Sequence, residues 1–201
     1  IDWTSFDAVR KIRNLAKTKK VGHAGTLDPL ATGLLIVCTG KFTKKINEYM
    51  AREKEYTGTI VLGSSTPTFD LESEPIPIAD PATLSTEKII SATKQFTGNI
   101  LQVPPIHSAI KINGKRVYEL ARKGLDVKLE PGPVHISVFE INAINLPEVT
   151  FRVVCSTGTY IRSLANDFGA ALGCGGYLSS LRRTRIGEFS VNDAMSMENA
   201  E

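Results

Sequence analysis

Two alternating stretches in the second half of the chain constrain its fold most. Val134, Ile136 and Val138 alternate with His135 and Ser137, and Phe151, Val153 and Cys155 alternate with Arg152, Val154 and Ser156. Successive side chains on a strand point to opposite faces, so each stretch predicts a strand with a buried side. The two are adjacent, and no strand–helix–strand rhythm joins them. That favours an α+β fold, a mixed and mainly antiparallel sheet flanked by helices.

The flanking helices are readable too. Thr4-Ser5-Phe6-Asp7 resembles a capping box, and Phe6, Val9, Ile12 and Leu15 predict a helix over 5–17. Phe42, Ile46, Tyr49 and Met50 predict a second. Residues 86–96 predict a third, ended by Gly98, and 117–123 a short one closed by Gly124. Tyr160 to Leu172 predicts the last, with Gly173 just beyond it. Strands are expected at 33–39 and 55–62, and the Pro-, Ser-, Thr- and acid-rich run 66–81 reads as a loop excursion. With 201 residues and no repeat or linker, residues 1–201 read as one domain with a substantial core.

Composition excludes several classes. The apolar share of 42% and charged share of 22% are those of a globular chain, not a disordered or fibrous one. The best apolar run, 33–38, is far too short to cross a membrane. Cys38, Cys155 and Cys174 form no close pair, which fits a reducing cytosol and a cytoplasmic protein. His23, His107 and His135 are scattered and no CxxC occurs, so no metal is expected. No secretory signal is visible.

The net charge of +3 hides a pattern. Residues 1–56 carry +5, 106–129 carry +4 and 152–187 carry +4, while the segments between them and the last fourteen residues are acidic. If folding gathers the basic blocks, they form a phosphate-binding surface.

The segment richest in chemistry is Gly22-His-Ala-Gly-Thr-Leu-Asp-Pro-Leu-Ala-Thr-Gly33. Its glycines permit tight turns and close ligand approach. Pro29 biases Asp28 away from helical backbone. One reading is an acid presented for catalysis on a loop anchored by the following strand. The other is a glycine-rich turn in which Asp28 caps backbone. A nucleotide-binding loop is disfavoured, because Gly40-Lys41-Phe42 lacks the Ser or Thr of the Walker pattern.

The run Gly22 to Leu35 resembles the signature of TruB-type tRNA pseudouridine synthases. Similar blocks follow in order: Thr4-Ser5-Phe6 before it, then Lys54-Glu55-Tyr56, Val103-Pro104-Pro105 with Ser108 to Lys111, Tyr118 to Arg122, Cys155 to Ala165, and Leu181-Arg182-Arg183-Thr184 with Gly187. The resemblance implies the catalytic fold of that family and an isomerisation needing no cofactor. The N1–C1′ bond of a uridine is cut, the uracil turns, and it rejoins through C5. The expected target is uridine 55 in the T-loop of tRNA.

By the same resemblance Asp28 is the catalytic carboxylate, adding to the sugar or removing a sugar proton. Arg162 pairs with it, and Tyr56 stacks on the uracil and is a candidate relay for the C5 proton. Tyr160 and Leu181 wall the pocket, although core packing accounts equally well for Leu181. His23 fills the space left by the flipped nucleotide. Lys19, Lys20, Lys111, Arg182 and Arg183 are expected to hold phosphates of the T-stem and loop, a positioning role. No membrane or obligatory protein partner is implied.

Two departures stand out. The family's Lys-Pro-x-Gly stretch is missing before Thr4, so the N-terminus reads as trimmed; the chain stops too soon for the small C-terminal RNA-binding (PUA) domain of many relatives, so it reads as either a short form or a truncated fragment. The rival readings are a non-catalytic RNA-binding protein on the same scaffold and a nucleotide hydrolase. The spatial expectation is that the three basic blocks converge around Asp28.

Overall fold

The computed structural model describes residues 3–106, 108, 111–112, 115–116 and 128–200. In chain order its elements are α1 (Ser5–Leu15), β1 (Val21–His23), β2 (Thr32–Gly33), β3 (Val37–Thr39), a 3-10 segment (Gly40–Lys45), α2 (Ile46–Met50), β4 (Lys54–Leu62), β5 (Ser64–Ser65), β6 (Ile76–Pro77), α3 (Thr86–Ala92), β7 (Gly98–Gln102), β8 (Lys111–Ile112), β9 (Lys115–Arg116), β10 (Gly132–Asn145), β11 (Glu148–Cys155), α4 (Ile161–Ala171), β12 (Gly176–Ile186) and β13 (Phe189–Ser190).

The main sheet runs β13-β12-β4-β11-β10-β7 with antiparallel neighbours, and β2 joins β12 in parallel. This is the α+β, mainly antiparallel architecture that the alternation implied. In β11, Val149, Phe151 and Val153 are buried while Thr150 and Arg152 are less so. α4 supplies Ile161, Leu164 and Phe168 to the core beside Ile60, Ile136 and Phe139. There Phe139 meets Phe151 and Phe168 edge-on, with ring centroids 6.2 and 5.3 Å apart. A Cβ at Gly169 would lie 2.1 Å from the Gly176 nitrogen, so any side chain there forces α4 off the start of β12.

Four segments differ from expectation. α1 has its capping box, but it buries Ser5, Ala8 and Val9, leaving Phe6 60% exposed. The expected strand 33–39 divides because it serves two partners. Gly33 and Leu34 pair with Arg183 of β12, whereas Ile36 to Thr39 pair with Ala24 and β1. The expected helix through Phe42 and Met50 begins as the 3-10 segment, which turns Phe42 outward to 61% exposure. β12, a long strand between β4 and β13, has no counterpart among the expected elements. The excursion 66–81 is irregular apart from β6, and Asp70 bridges to Leu178. The helix expected at 117–123 lies outside the described residues.

Candidate active site

The Gly22–Gly33 loop is held from below. Arg183, only 1% exposed, donates from Nε to the Leu34 carbonyl at 2.9 Å, from Nη2 to Gly25 at 3.1 Å and from Nη1 to Thr26 at 3.3 Å. Gly33, at φ +107, lets β2 press on this strand, since a Cβ there would lie 2.2 Å from the Arg183 carbonyl oxygen. Ser5 on α1 accepts the Leu27 N–H through Oγ at 2.9 Å. The backbone on either side of Asp28 is therefore fixed by a strand arginine and a helix serine.

Facing Asp28 is Arg162, in the first turn of α4. Its Nη2 donates to Asp28 Oδ1 at 3.2 Å and its Nε lies 3.0 Å from Oδ2. The arginine side chain is 5% exposed and the aspartate 37%, so the carboxylate alone reaches open space. Gln102 fixes the entry to α4 by accepting the Tyr160 N–H at 2.8 Å and donating to its carbonyl at 3.1 Å. Ser163 Oγ donates to the Val103 carbonyl at 2.7 Å. On its other side Arg162 meets Asp70, with Nη1 to Oδ2 at 3.8 Å. One buried guanidinium thus joins two carboxylates from loops remote in sequence.

These groups open on a cavity of about 350 Å³, within the range of small-ligand pockets. Asp28, Tyr56, Tyr160, Arg162 and Leu181 all line it. Tyr56 stands opposite Arg183 across the β4–β12 pair. Leu181 also packs on the main core. Lys54, 5% exposed, shares the wall two residues before Tyr56 and donates its ammonium to the Met50 carbonyl.

Burial raises the Asp28 carboxyl above its ordinary value, Arg162 pulls it back, and the Asp70 charge pushes it further up. Burial also raises the Tyr56 and Tyr160 phenols, opposed by Arg183 at Tyr56 and chiefly by Ser108 at Tyr160. Lys54 is lowered by burial and then by Arg183. Burial pushes the Cys155 thiol up to about 11, so it is no nucleophile at neutral pH. Among the described residues, no three or more His, Cys, Asp or Glu side chains converge as a metal site.

His23 sits apart from the cavity wall. It ends β1 opposite Val37, and burial lowers its imidazole below the usual value. Lys19, Lys20 and Arg182 are exposed, and Arg182 Nη1 reaches Thr32 Oγ1 at 3.5 Å. Arg183 differs from these three: it is buried, it donates to three loop carbonyls, and it lines the cavity rather than the outer surface. The Lys111 side chain lies outside the described residues. The first and third basic blocks do meet here, but as the buried Lys54, Arg162 and Arg183; most of the middle block is outside the described residues. The expectations missed Asp70, Gln102, Lys54 and Ser5. Asp70 lies in a polar excursion that carries no periodic signal, whereas Gln102 and Lys54 adjoin or belong to recognised blocks.

The antiparallel α+β fold is already known from solved structures. The fold is similar to a chain in the "Crystal Structure of a Cbf5-Nop10-Gar1 Complex", at TM-score 0.70 and 32% identity over 94% of this chain and 46% of that one. It is also similar to one in the "Structure of H/ACA RNP bound to a substrate RNA containing 2'-deoxyuridine", at TM-score 0.68 and 30% identity over 94% and 45%. The chain therefore spans less than half the length of those solved chains.

Two family profiles cover most of the sequence. "TruB family pseudouridylate synthase (N terminal domain)" matches residues 13–161, and "tRNA pseudouridylate synthase B C-terminal domain" matches 162–201. The tRNA pseudouridine synthase B of Flavobacterium johnsoniae is 53% identical over 98% of this chain and 89% of its own length. That of Phocaeicola vulgatus is 49% identical over 98% and 87%. The chain belongs to the TruB family of pseudouridylate synthases, and so to a family of isomerases.

Proposed function

We propose that this chain converts uridine 55 in the T-loop of tRNA to pseudouridine, with Asp28 as the reacting carboxylate. The observation that carries the reading is the Asp28–Arg162 pair, presented to a cavity whose wall includes Tyr56. The overall change breaks N1–C1′, forms C5–C1′, removes a proton from C5 and returns one to N1. Atoms and electrons balance without a co-reactant.

A loop uridine is stacked, so it must leave the stack at a cost of about a few kcal/mol before it fits such a cavity. Tyr56 stacks on the flipped uracil, and Tyr160 and Leu181 limit its turning space. His23, outside the wall on the neighbouring ribbon, stands in for the departed nucleotide. Lys19, Lys20 and Arg182 hold phosphates and set the register of the RNA. Arg162 keeps Asp28 ionised against its burial, and Asp70 holds Arg162 from behind. Ionised Asp28 has two routes: Oδ adds to C1′, or it removes the C2′ proton. A substrate deuterated at C2′ separates them, because only the second route breaks that bond.

Residues 1–201 act as one catalytic unit. β12, within the span of the second family profile, pairs along its length with β4 in the first, so the two spans share one sheet. The enzyme works in the cytoplasm, a reading supported by three free buried cysteines, and it needs no protein partner. The test is mass spectrometry of unmodified tRNA incubated with the purified chain alone. Pseudouridine at position 55, absent from a transcript with cytidine there, supports the reading. Unchanged uridine overturns it.

A further inference from the structure

The 3-10 segment Gly40–Lys45 puts an aromatic ring where the core cannot use it. Side chains three apart eclipse in a 3-10 helix, giving three faces. Thr43 and Ile46 form the inner face: Thr43 Oγ1 donates to the Gly40 carbonyl at 2.8 Å, and a Cβ at Gly22 would lie 2.7 Å from the Ile46 δ-methyl carbon. Lys41 and Lys44 form the second face, Phe42 and Lys45 the third, and all four are exposed. The β1–β3 ribbon brings in two more cations, since the Gly40 N–H donates to the Lys20 carbonyl at 2.8 Å and Lys19 and Lys20 are exposed there. Among the described residues, none of these five lysines makes an ion pair. An exposed phenylalanine on a lysine-rich segment matches a polyanion that also offers flat apolar rings, which is the chemistry of nucleic acid.

The same helical path continues through α2 to Met50, in the cavity wall. At ~2.0 Å per 3-10 residue and ~1.5 Å per α residue, Phe42 lies about 14 Å from that wall. Such a span corresponds to roughly four nucleotide steps at 3.4 Å each.

We propose that Phe42 stacks on an unpaired base of the RNA substrate, a few nucleotides from the flipped uridine, while Lys41, Lys44 and Lys45 hold the flanking phosphates. This rests on the function proposed above and adds a second recognition point to it. The site reads an unstacked base, so it favours folded tRNA over a bare stem.

Fluorescence anisotropy with labelled unmodified tRNA tests the surface. Phe42→Ala should weaken binding about 10-fold, as expected for the loss of one stacked base, with an unchanged slope of log affinity against log salt. Phe42→Trp should restore it. Lys41→Ala with Lys44→Ala should reduce the salt slope by about 2. Ile90→Ala, which removes an exposed apolar side chain on α3, is the control. Binding by Phe42→Ala within twofold of the wild type, or an equal loss in Ile90→Ala, overturns the proposal. Melting temperature confirms that each variant is folded. Pseudouridine formation by the wild type on the same tRNA judges the parent reading separately. No product with a binding loss at Phe42 sinks the function and leaves the surface standing; product without that loss does the reverse.

Discussion

Arg162 and Arg183 are both buried and both line the cavity, one on a helix and one on a strand, yet they meet different acceptors. Arg183 lies beneath the glycine loop and spends its donors on three backbone carbonyls. Arg162, in the first turn of α4, meets two carboxylates. Neutral acceptors leave a cation that organises backbone. Charged acceptors create a group whose proton affinity depends on its neighbours. The first arginine therefore builds the loop, and the second sets the state of the acid that the loop presents.

Substituting each arginine by Met should separate these jobs. Arg162→Met should slow pseudouridine formation by at least about 100-fold, and its acid limb should move to higher pH, because Asp28 loses the cation that opposes its burial. Arg183→Met strands the carbonyls of Gly25, Thr26 and Leu34. It should cost about 3 kcal/mol and lower the melting temperature by roughly 10 °C. If both variants lose activity only in proportion to folded protein, the comparison fails.

Asp70→Asn is the finer probe. Asp70 pushes the Asp28 pKa up, so its neutralisation should move the acid limb of the rate profile to lower pH. The rate at neutral pH should fall roughly 10-fold as Arg162 loses its second anchor. The wild-type limb should itself lie above the ordinary aspartate value of ~3.9. Stability carries the same sign. An acid whose native pKa is raised binds its proton more tightly folded than unfolded, so ionising Asp28 lowers stability as pH climbs from the unfolded to the folded pKa. Asp28→Asn should remove that slope in pH-dependent melting. The smallest effect concerns His23, outside the wall. His23→Ala should slow turnover several-fold on folded tRNA and less on a loosely structured T-loop fragment, where less stacking must be broken. Equal losses on both substrates would remove it from base flipping.

The contrast between the arginines also shows what was legible in the sequence. β10, β11 and α4 could be read because apolar periodicity records burial against a single partner. The cavity lining could be read where residues lie in recognisable blocks: Asp28, Tyr56, Tyr160, Arg162 and Leu181. β12 could not, because Arg182, Arg183 and Arg185 interrupt its apolar pattern, and the burial of Arg183 is compensated by backbone oxygens that leave no trace in side-chain identity. Phe42 was misplaced for a related reason. Its spacing to Ile46 and Tyr49 suits 3.6 residues per turn, and the chain there uses three. Asp70 was invisible because a lone acid in a polar excursion looks the same whether solvated or buried.

The central claim is that Asp28 performs the chemistry and the rest of the loop only presents it. Single-turnover pseudouridine formation by Asp28→Asn on unmodified tRNA, with binding measured in parallel, tests this most directly. The account expects affinity within a few-fold of the wild type and a rate lower by about 10³-fold or more. Turnover near the wild-type rate by the bound variant would contradict it.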